Sequence, residues 1–264
     1  MADSILRGRS ALITGASSGL GADFARELAG RGCNLILVAR REDLLRSLQQ
    51  EVSTRHGVTV EVIPLDLTAD DAPPTLYDRI KTAGMAVDVL VNNAGFGLYG
   101  EFLDIPWERE RNMLELNIVV LTHMTKLFVT DMVARNFGFI LQMSSIGAFQ
   151  PSPTYASYSA AKTYVLYFGE ALNYELRKTN VRCTVLAPGI VRTEFLQVSG
   201  QQPSLYQRLV MMDSPEVVKI AVDSMLKGKS TVVPGWINAI MARSSQLMPR
   251  RVSAAITYRL MTIR

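Results

Sequence analysis

The chain is poor in the residues that build metal centres and disulfide frameworks: its 264 residues include two cysteines, Cys33 and Cys183, and two histidines, His56 and His123. None of the four has a partner at metal-ligand spacing, so no metal site is expected and both thiols are read as buried and free. The histidines are read as structural or solvated, one at a helix end and one inside a long helix. No internal repeat, low-complexity tract or Pro/Ser-rich linker divides the chain, and no run of about 18 apolar residues occurs. Residues 1–9 are too short and too polar for a secretory signal, so a cytoplasmic location is expected. Charge of one sign is also scarce. The net charge is +4, and residues 235–264 hold five arginines and no acid, which leaves 23 basic against 24 acidic residues before them. Without a stripe of Lys/Arg interleaved with aromatics, a dedicated nucleic-acid binder is excluded.

The composition, 48% hydrophobic and 20% charged, is that of a soluble protein with a sizeable core. Apolar runs of strand length at 10–13, 34–39, 58–65, 87–91, 139–143, 181–187 and 230–233 alternate with helical patterns at 22–29, 42–52, 73–83, 106–135, 155–178 and 215–226. That alternation predicts an α/β fold: a doubly wound parallel sheet of about seven strands, with helices on both faces.

Tyr158 and Lys162 stand four apart, hence on one face of the predicted helix 155–178. A free phenol titrates near ~10, and a cation fixed beside it favours the phenolate, so the pair is suited to proton transfer. Ser145 follows the strand 139–143, and strand carboxyl ends are where open α/β sheets place ligands. Strand 10–13 runs into Gly15, Ala16, Ser17, Ser18, Gly19, Leu20 and Gly21 and then a helix. Such a turn brings backbone N–H groups and a helix N-terminus to a pyrophosphate. About twenty residues on, strand 34–39 ends in Arg40 and Arg41. An acid there would meet the ribose of NAD; arginine suits the additional phosphate of NADP.

With Asp66, the run Asn92, Asn93, Ala94, Gly95, then Asn117, Pro188, Gly189 and Thr193 in order, residues 8–235 resemble the short-chain dehydrogenase/reductase family, of the NADP-preferring type with an Asn-Ser-Tyr-Lys tetrad. The resemblance implies a Rossmann-type fold and an NADP(H)-dependent oxidoreductase interconverting a carbonyl and an alcohol. In that reading Ser145 binds the substrate oxygen, Tyr158 passes the proton, Lys162 holds the nicotinamide ribose and tunes the tyrosine, and Asn117 anchors a water relay. It further implies a cofactor site formed by Gly15, Ser17, Ser18, Gly19, Leu20, Gly21, Arg40, Arg41, Asp66, Leu67, Asn93, Ala94, Gly95, Tyr158, Lys162, Pro188, Gly189, Ile190 and Thr193. Helices 106–135 and 155–178 would join a homo-dimer or homo-tetramer. Tyr155 is a decoy, because Ser159 rather than lysine lies four residues on.

Two other classes compete. A serine hydrolase fails because Met143 stands two before Ser145, where a nucleophile elbow needs glycine. A non-catalytic NADPH-binding scaffold on the same fold stays open, since fold does not fix function. The substrate is expected to be a lipophilic ketone or aldehyde, from Phe195, Leu196, Val198, Leu205, Tyr206, Leu209, Met211 and Met212 after Thr193 and from Phe149 and Tyr155. Residues 1–234 are read as one domain and 235–264 as a basic amphipathic extension, with Val252, Ile256, Leu260 and Ile263 at helical spacing and Arg251 and Arg259 to another side. Packing on the body or a second subunit, cover of the substrate entrance and peripheral contact with an anionic membrane are its three open fates, with packing favoured because apolar stripes on globular helices usually face a core.

Overall fold

The computed structural model describes residues 5–202, 207 and 210–262. Six strands, β1 (Ser10–Thr14), β2 (Asn34–Ala39), β3 (Val60–Pro64), β4 (Val89–Asn92), β5 (Gly138–Met143) and β6 (Val181–Leu186), form a sheet with the short strand Thr231–Val232. All pairs are parallel, in the order β3-β2-β1-β4-β5-β6 and then Thr231–Val232 at the edge. The order turns back between β1 and β4, and that switch point opens a crevice at the strands' carboxyl ends.

Continuous apolar strands are what a sheet covered on both faces demands. Along β1, Ala11 and Ile13 point into a core with Phe24, Leu28, Leu45 and Val218, while Leu12 between them joins Leu76, Ile80, Met124 and Phe128 on the other face. The period of two thus divides one strand between two cores. The first is covered by α1 (Gly19–Gly30) and α2 (Glu42–His56) together with Ser214–Leu226; the second by α3 (Ala72–Thr82) and the long helix that follows β4. Cys33 and Cys183 are buried free thiols within these cores, as predicted.

Three sequence-based expectations need correction. Helix α1 begins at Gly19 rather than at 22, so two of the motif's glycines lie in its first turn. The predicted helix 106–135 is a 28-residue helix, α4 (Trp107–Leu114) and α5 (Leu121–Ala134), joined by a π-helical turn at Glu115–Val120. It is long and apolar enough to cross a membrane, yet here Met113, Asn117, Met124, Thr125 and Phe128 are buried in the domain. Finally, the segment expected to be one amphipathic extension holds, among the described residues, two helices, Trp236–Leu247 and Arg250–Thr262. After α6 (Ala156–Glu175) and α7 (Phe195–Ser199) come α8 (Ser214–Leu226), α9 (Trp236–Leu247) and α10 (Arg250–Thr262). Met212 belongs to a two-stranded ladder, Val191–Arg192 with Met212–Asp213, outside the main sheet.

Candidate active site

A cavity of about 700 Å³ lies along the carboxyl ends of β1, β2, β4 and β5. Every residue expected in the tetrad and the cofactor site borders it except Gly21, which sits behind the glycine turn, and Asn117, which lies beneath Gly95.

Gly15 and Gly19 adopt positive φ (66° and 53°), the conformation that glycine adopts without strain. A side chain on Gly15 would reach Ala94 Cα and Asn93 Nδ2 at 2.9 Å, and one on Gly21 would meet Gly15 O at 2.1 Å. The turn is therefore packed against both its own helix and the end of β4. Asn93, expected to hold a ribose, spends its amide donors on Thr14 O (2.9 Å) and Gly15 O (3.3 Å). Thr14 completes the lock: its Oγ1 accepts from Asn93 N (3.1 Å) and Ala94 N (3.0 Å). Thr14 opens the glycine motif in the sequence, but this role is not legible there, because its partners are backbone groups of another strand. Above the turn, Arg41 Nη2 donates to Ser18 Oγ (2.6 Å) and Ser17 Oγ (3.2 Å) and lies 3.3 Å from Glu194 Oε2. Arg40 is more exposed and faces Asp66 at 3.8 Å. Asp66 Oδ1 accepts from the Thr68 N–H and hydroxyl. A bare helix N-terminus, glycines that allow close approach and an arginine over them fit a dinucleotide's phosphates.

Ser145 leaves β5 in extended conformation and accepts from Gly147 N at 3.1 Å, which fixes its hydroxyl at the strand end. Ser144 Oγ donates to Lys162 O at 2.7 Å and so pins the catalytic turn of α6 to β5. Lys162 is 3% exposed; its Nζ donates to Met143 O at 2.8 Å and lies 5.6 Å from the centre of the Tyr158 ring. Burial pushes this ammonium down to about 7. The Tyr158 phenol, between Tyr155 and Phe195 with ring centres 5.6 and 5.5 Å away, is pushed up by burial, with the Ser145 hydroxyl opposing the rise. The expectation that Lys162 would lower this phenol is thus not met in the free protein. Loss of water dominates both groups, pushing the ammonium down and the phenol up.

Asn117 lies in the π-helical turn, where its Nδ2 donates to Met113 O (2.9 Å) and Phe96 O (3.0 Å). Its Oδ1 is buried and has no protein partner. A Cβ on Gly95 would stand 2.6 Å from that oxygen and 3.5 Å from Lys162 Nζ. An orphaned buried acceptor beside a buried ammonium is a place for a bridging water, consistent with the relay the resemblance implies.

On the substrate side the walls include Phe96, Ile146, Tyr155, Phe195, Leu196 and Val198. Tyr155 is held by Ser199 Oγ (3.0 Å) and Gln201 Oε1 (2.9 Å), so its hydroxyl is committed to structure. Phe149, Met211 and Met212, expected in this wall, do not border the cavity; Phe149 packs with Ala148, Leu166 and Val185. Leu205, Tyr206 and Leu209 lie outside the described residues. Sequence reasoning missed Met261 of α10, which borders the cavity and whose sulfur accepts from Gln207 Nε2 at 3.3 Å. Among the described residues no histidine borders the cavity, so Ser145 has no imidazole base.

A sheet with this switch point and a Ser-Tyr-Lys cluster at its carboxyl end define a dinucleotide-linked oxidoreductase site. The family model for short chain dehydrogenases matches residues 9–204, and the chain belongs to that family of oxidoreductases. It is 31% identical over 253 residues to a very-long-chain 3-oxoacyl-CoA reductase of Rattus norvegicus, covering 92% of this chain and 76% of that one. To the 17-beta-hydroxysteroid dehydrogenase type 3 of Homo sapiens it is 37% identical over 247 residues, covering 89% and 76%. Among solved structures, a short-chain dehydrogenase from Sphingobium yanoikuyae in complex with NADPH superposes with a TM-score of 0.80 at 28% identity, over 90% of this chain and 95% of that one.

Proposed function

We propose that the protein is an NADP(H)-dependent reductase of lipophilic ketones or aldehydes, with Tyr158 as general acid and, in the reverse direction, general base. The observation that carries this reading is the convergence of Ser145, Tyr158 and Lys162 on one cavity whose other end is the glycine turn and Arg41. The cofactor, held by the turn, Arg40, Arg41, Asp66, Lys162 and the 188–193 segment, supplies the hydride. The chain supplies position and the proton. Ser145, fixed by Gly147 N, donates its hydroxyl to the substrate oxygen. Tyr158 is neutral at pH 7 because burial raises it, so it holds the proton that the developing alkoxide needs. Lys162 and Asn117, joined through water, replenish that proton.

Arg41 supports the NADP preference: a guanidinium poised over Ser17 and Ser18 suits a phosphate monoester, which would compete with Glu194 for it. The apolar wall supports a lipophilic substrate, and of the two relatives named above one is named for a very-long-chain 3-oxoacyl-CoA and the other for a 17-beta-hydroxysteroid. The outer sides of α4–α5 and α6 carry exposed Trp107, Val119, Tyr167 and Tyr174, which supports a homo-oligomer formed through these helices. NADPH consumption against a carbonyl panel graded by chain length and ring size, with NADH in parallel, tests the assignment. Turnover that rises with lipophilicity and favours NADPH supports it; tight NADPH binding with no turnover of any member would favour the scaffold reading.

A further inference from the structure

Helices α9 and α10 are amphipathic in the reverse of the usual sense. A helix that packs only on its own domain buries its apolar stripe. In α9 the buried residues are Asn238, Ala242 and Ser245, whereas Trp236, Ile240 and Leu247 are 74%, 57% and 88% exposed. At 3.6 residues per turn, Trp236, Ile240, Arg243 and Leu247 fall within one narrow arc, opposite the buried trio. In α10 Ser253 and Thr257 are buried, while Val252 and Ile256 are about half exposed; Arg259, expected on another side, falls in line with them. The apolar stripe predicted to pack on the body thus faces outward, apart from Leu260, which is partly buried; Ile263 lies outside the described residues.

The inward faces are fastened by other means. Asn238 Nδ2 donates to Pro234 O at 3.0 Å and lies where a side chain on Gly189 would be, and Ser245 Oγ donates to Phe149 O at 3.4 Å. Helix α9 is thus seated beside the catalytic segment through Ser245, and α10 through Met261, whose carbonyl accepts from Tyr99 Oη at 3.4 Å and whose sulfur accepts from Gln207 Nε2, while the outward apolar side chains are left for something else.

We infer that this outward face docks on an anionic lipid surface. The arc on each helix alternates apolar side chains with arginine, Arg250 and Arg251 lie between the two arcs, and residues 235–264 contain no acid. Aliphatic side chains beside an arginine on each exposed arc, with a tryptophan on that of α9, match the headgroup boundary of a bilayer, where the rings and alkyl groups enter and the guanidiniums meet phosphate. A second copy is a poorer occupant. A two-fold interface on this face would set arginine against arginine, with no acid of the segment to offset them.

The test uses the full chain and vesicles of phosphatidylcholine, with and without phosphatidylglycerol. Cosedimentation is expected with the anionic vesicles, to fall at least about tenfold on raising salt from 0.1 to 0.5 M, and to fall similarly in Arg243→Glu/Arg259→Glu. In a Trp107→Phe background, Trp236 is the one remaining tryptophan, and its emission is expected to shift to the blue on adding anionic vesicles. An unchanged melting temperature for each variant keeps a loss of binding from being a loss of fold. Equal, salt-insensitive binding to neutral vesicles would overturn the proposal. So would no vesicle binding by the wild type, whether the face then proves to be a subunit contact, read as dissociation of an oligomer by Ile240→Asp, or proves to bind nothing.

Discussion

Lys162 and Tyr158 stand one helical turn apart, and burial drives each toward its neutral form: the ammonium falls to about 7 and the phenol rises. Between pH 7 and the ordinary lysine value of about 10.5 the unfolded chain binds a proton at this position that the folded chain does not. Stability without cofactor should therefore increase with pH across that window. Lys162→Met should flatten the rise, as read from urea midpoints at pH 7 and 9. Where bound NADPH supplies acceptors to the ammonium, it restores the proton, so NADPH affinity is expected to weaken as pH climbs above 7, which calorimetry in two buffers would register as proton uptake. Tyr158→Phe removes one hydroxyl and should lower kcat by ~10²–10⁴ with NADPH affinity within a few-fold, because general acids contribute on that scale; stopped-flow fluorescence separates the two readouts. At the other end of the cavity, the sequence alone pointed to Arg40 as the main phosphate ligand with Arg41 assisting. The structure puts Arg41 on the serines of the turn, so Arg41→Ala should cost NADPH roughly 1.5–3 kcal/mol, about one to two decades of affinity, and spare NADH, with Arg40→Ala the smaller loss.

Among the elements, the π-helical turn shows how local backbone serves the site. By inserting one extra residue into the helix it turns Asn117 inward, so that both amide hydrogens reach carbonyls and Oδ1 faces Gly95. Gly95→Ala should strike that oxygen and displace the amide, at a cost of about 1–3 kcal/mol of stability and with a larger fall in kcat than in NADPH affinity. Thermal melts and steady-state kinetics on one preparation check both. The strands and most helices were legible in the sequence because fully buried parallel strands are uninterrupted apolar runs and the helices between them carry a clear period. The π turn was not, since its cause is the placement of Phe96 O and Met113 O rather than any residue type. Helix α1 was read as starting late because glycine argues against helix, whereas Gly21 is required there: Gly15 O occupies the space of a side chain. The tetrad, the glycine turn and the arginines could be found because their chemistry resides in side chains or in glycine. The groups that hold them, Thr14, Met143 O and Ser144, became visible once the strands were set side by side.

For the molecule as a whole, the least legible region was 235–264. Its period was evident, but a stripe of Val252 and Ile256 gives no sign of which way it faces, and the preference for packing it inward was set aside by the burial of Ser253 and Thr257. The same helices complete the substrate end: Met261 borders the cavity, and Tyr99 donates to its carbonyl at 3.4 Å. Met261 lies outside the 9–204 match to the family, so this part of the cavity wall is set by residues beyond that match. Hydride transfer from NADPH to a lipophilic carbonyl, with the proton coming from Tyr158, is decided by incubating the protein with NADPH carrying two deuterium atoms at the reactive carbon and analysing the product of a ketone that it turns over. Deuterium is expected on the carbinol carbon, in amounts equal to the cofactor oxidised, with Tyr158→Phe slowing both together. Cofactor oxidised without deuterium in any alcohol, or a Tyr158→Phe protein as fast as the wild type, would contradict it.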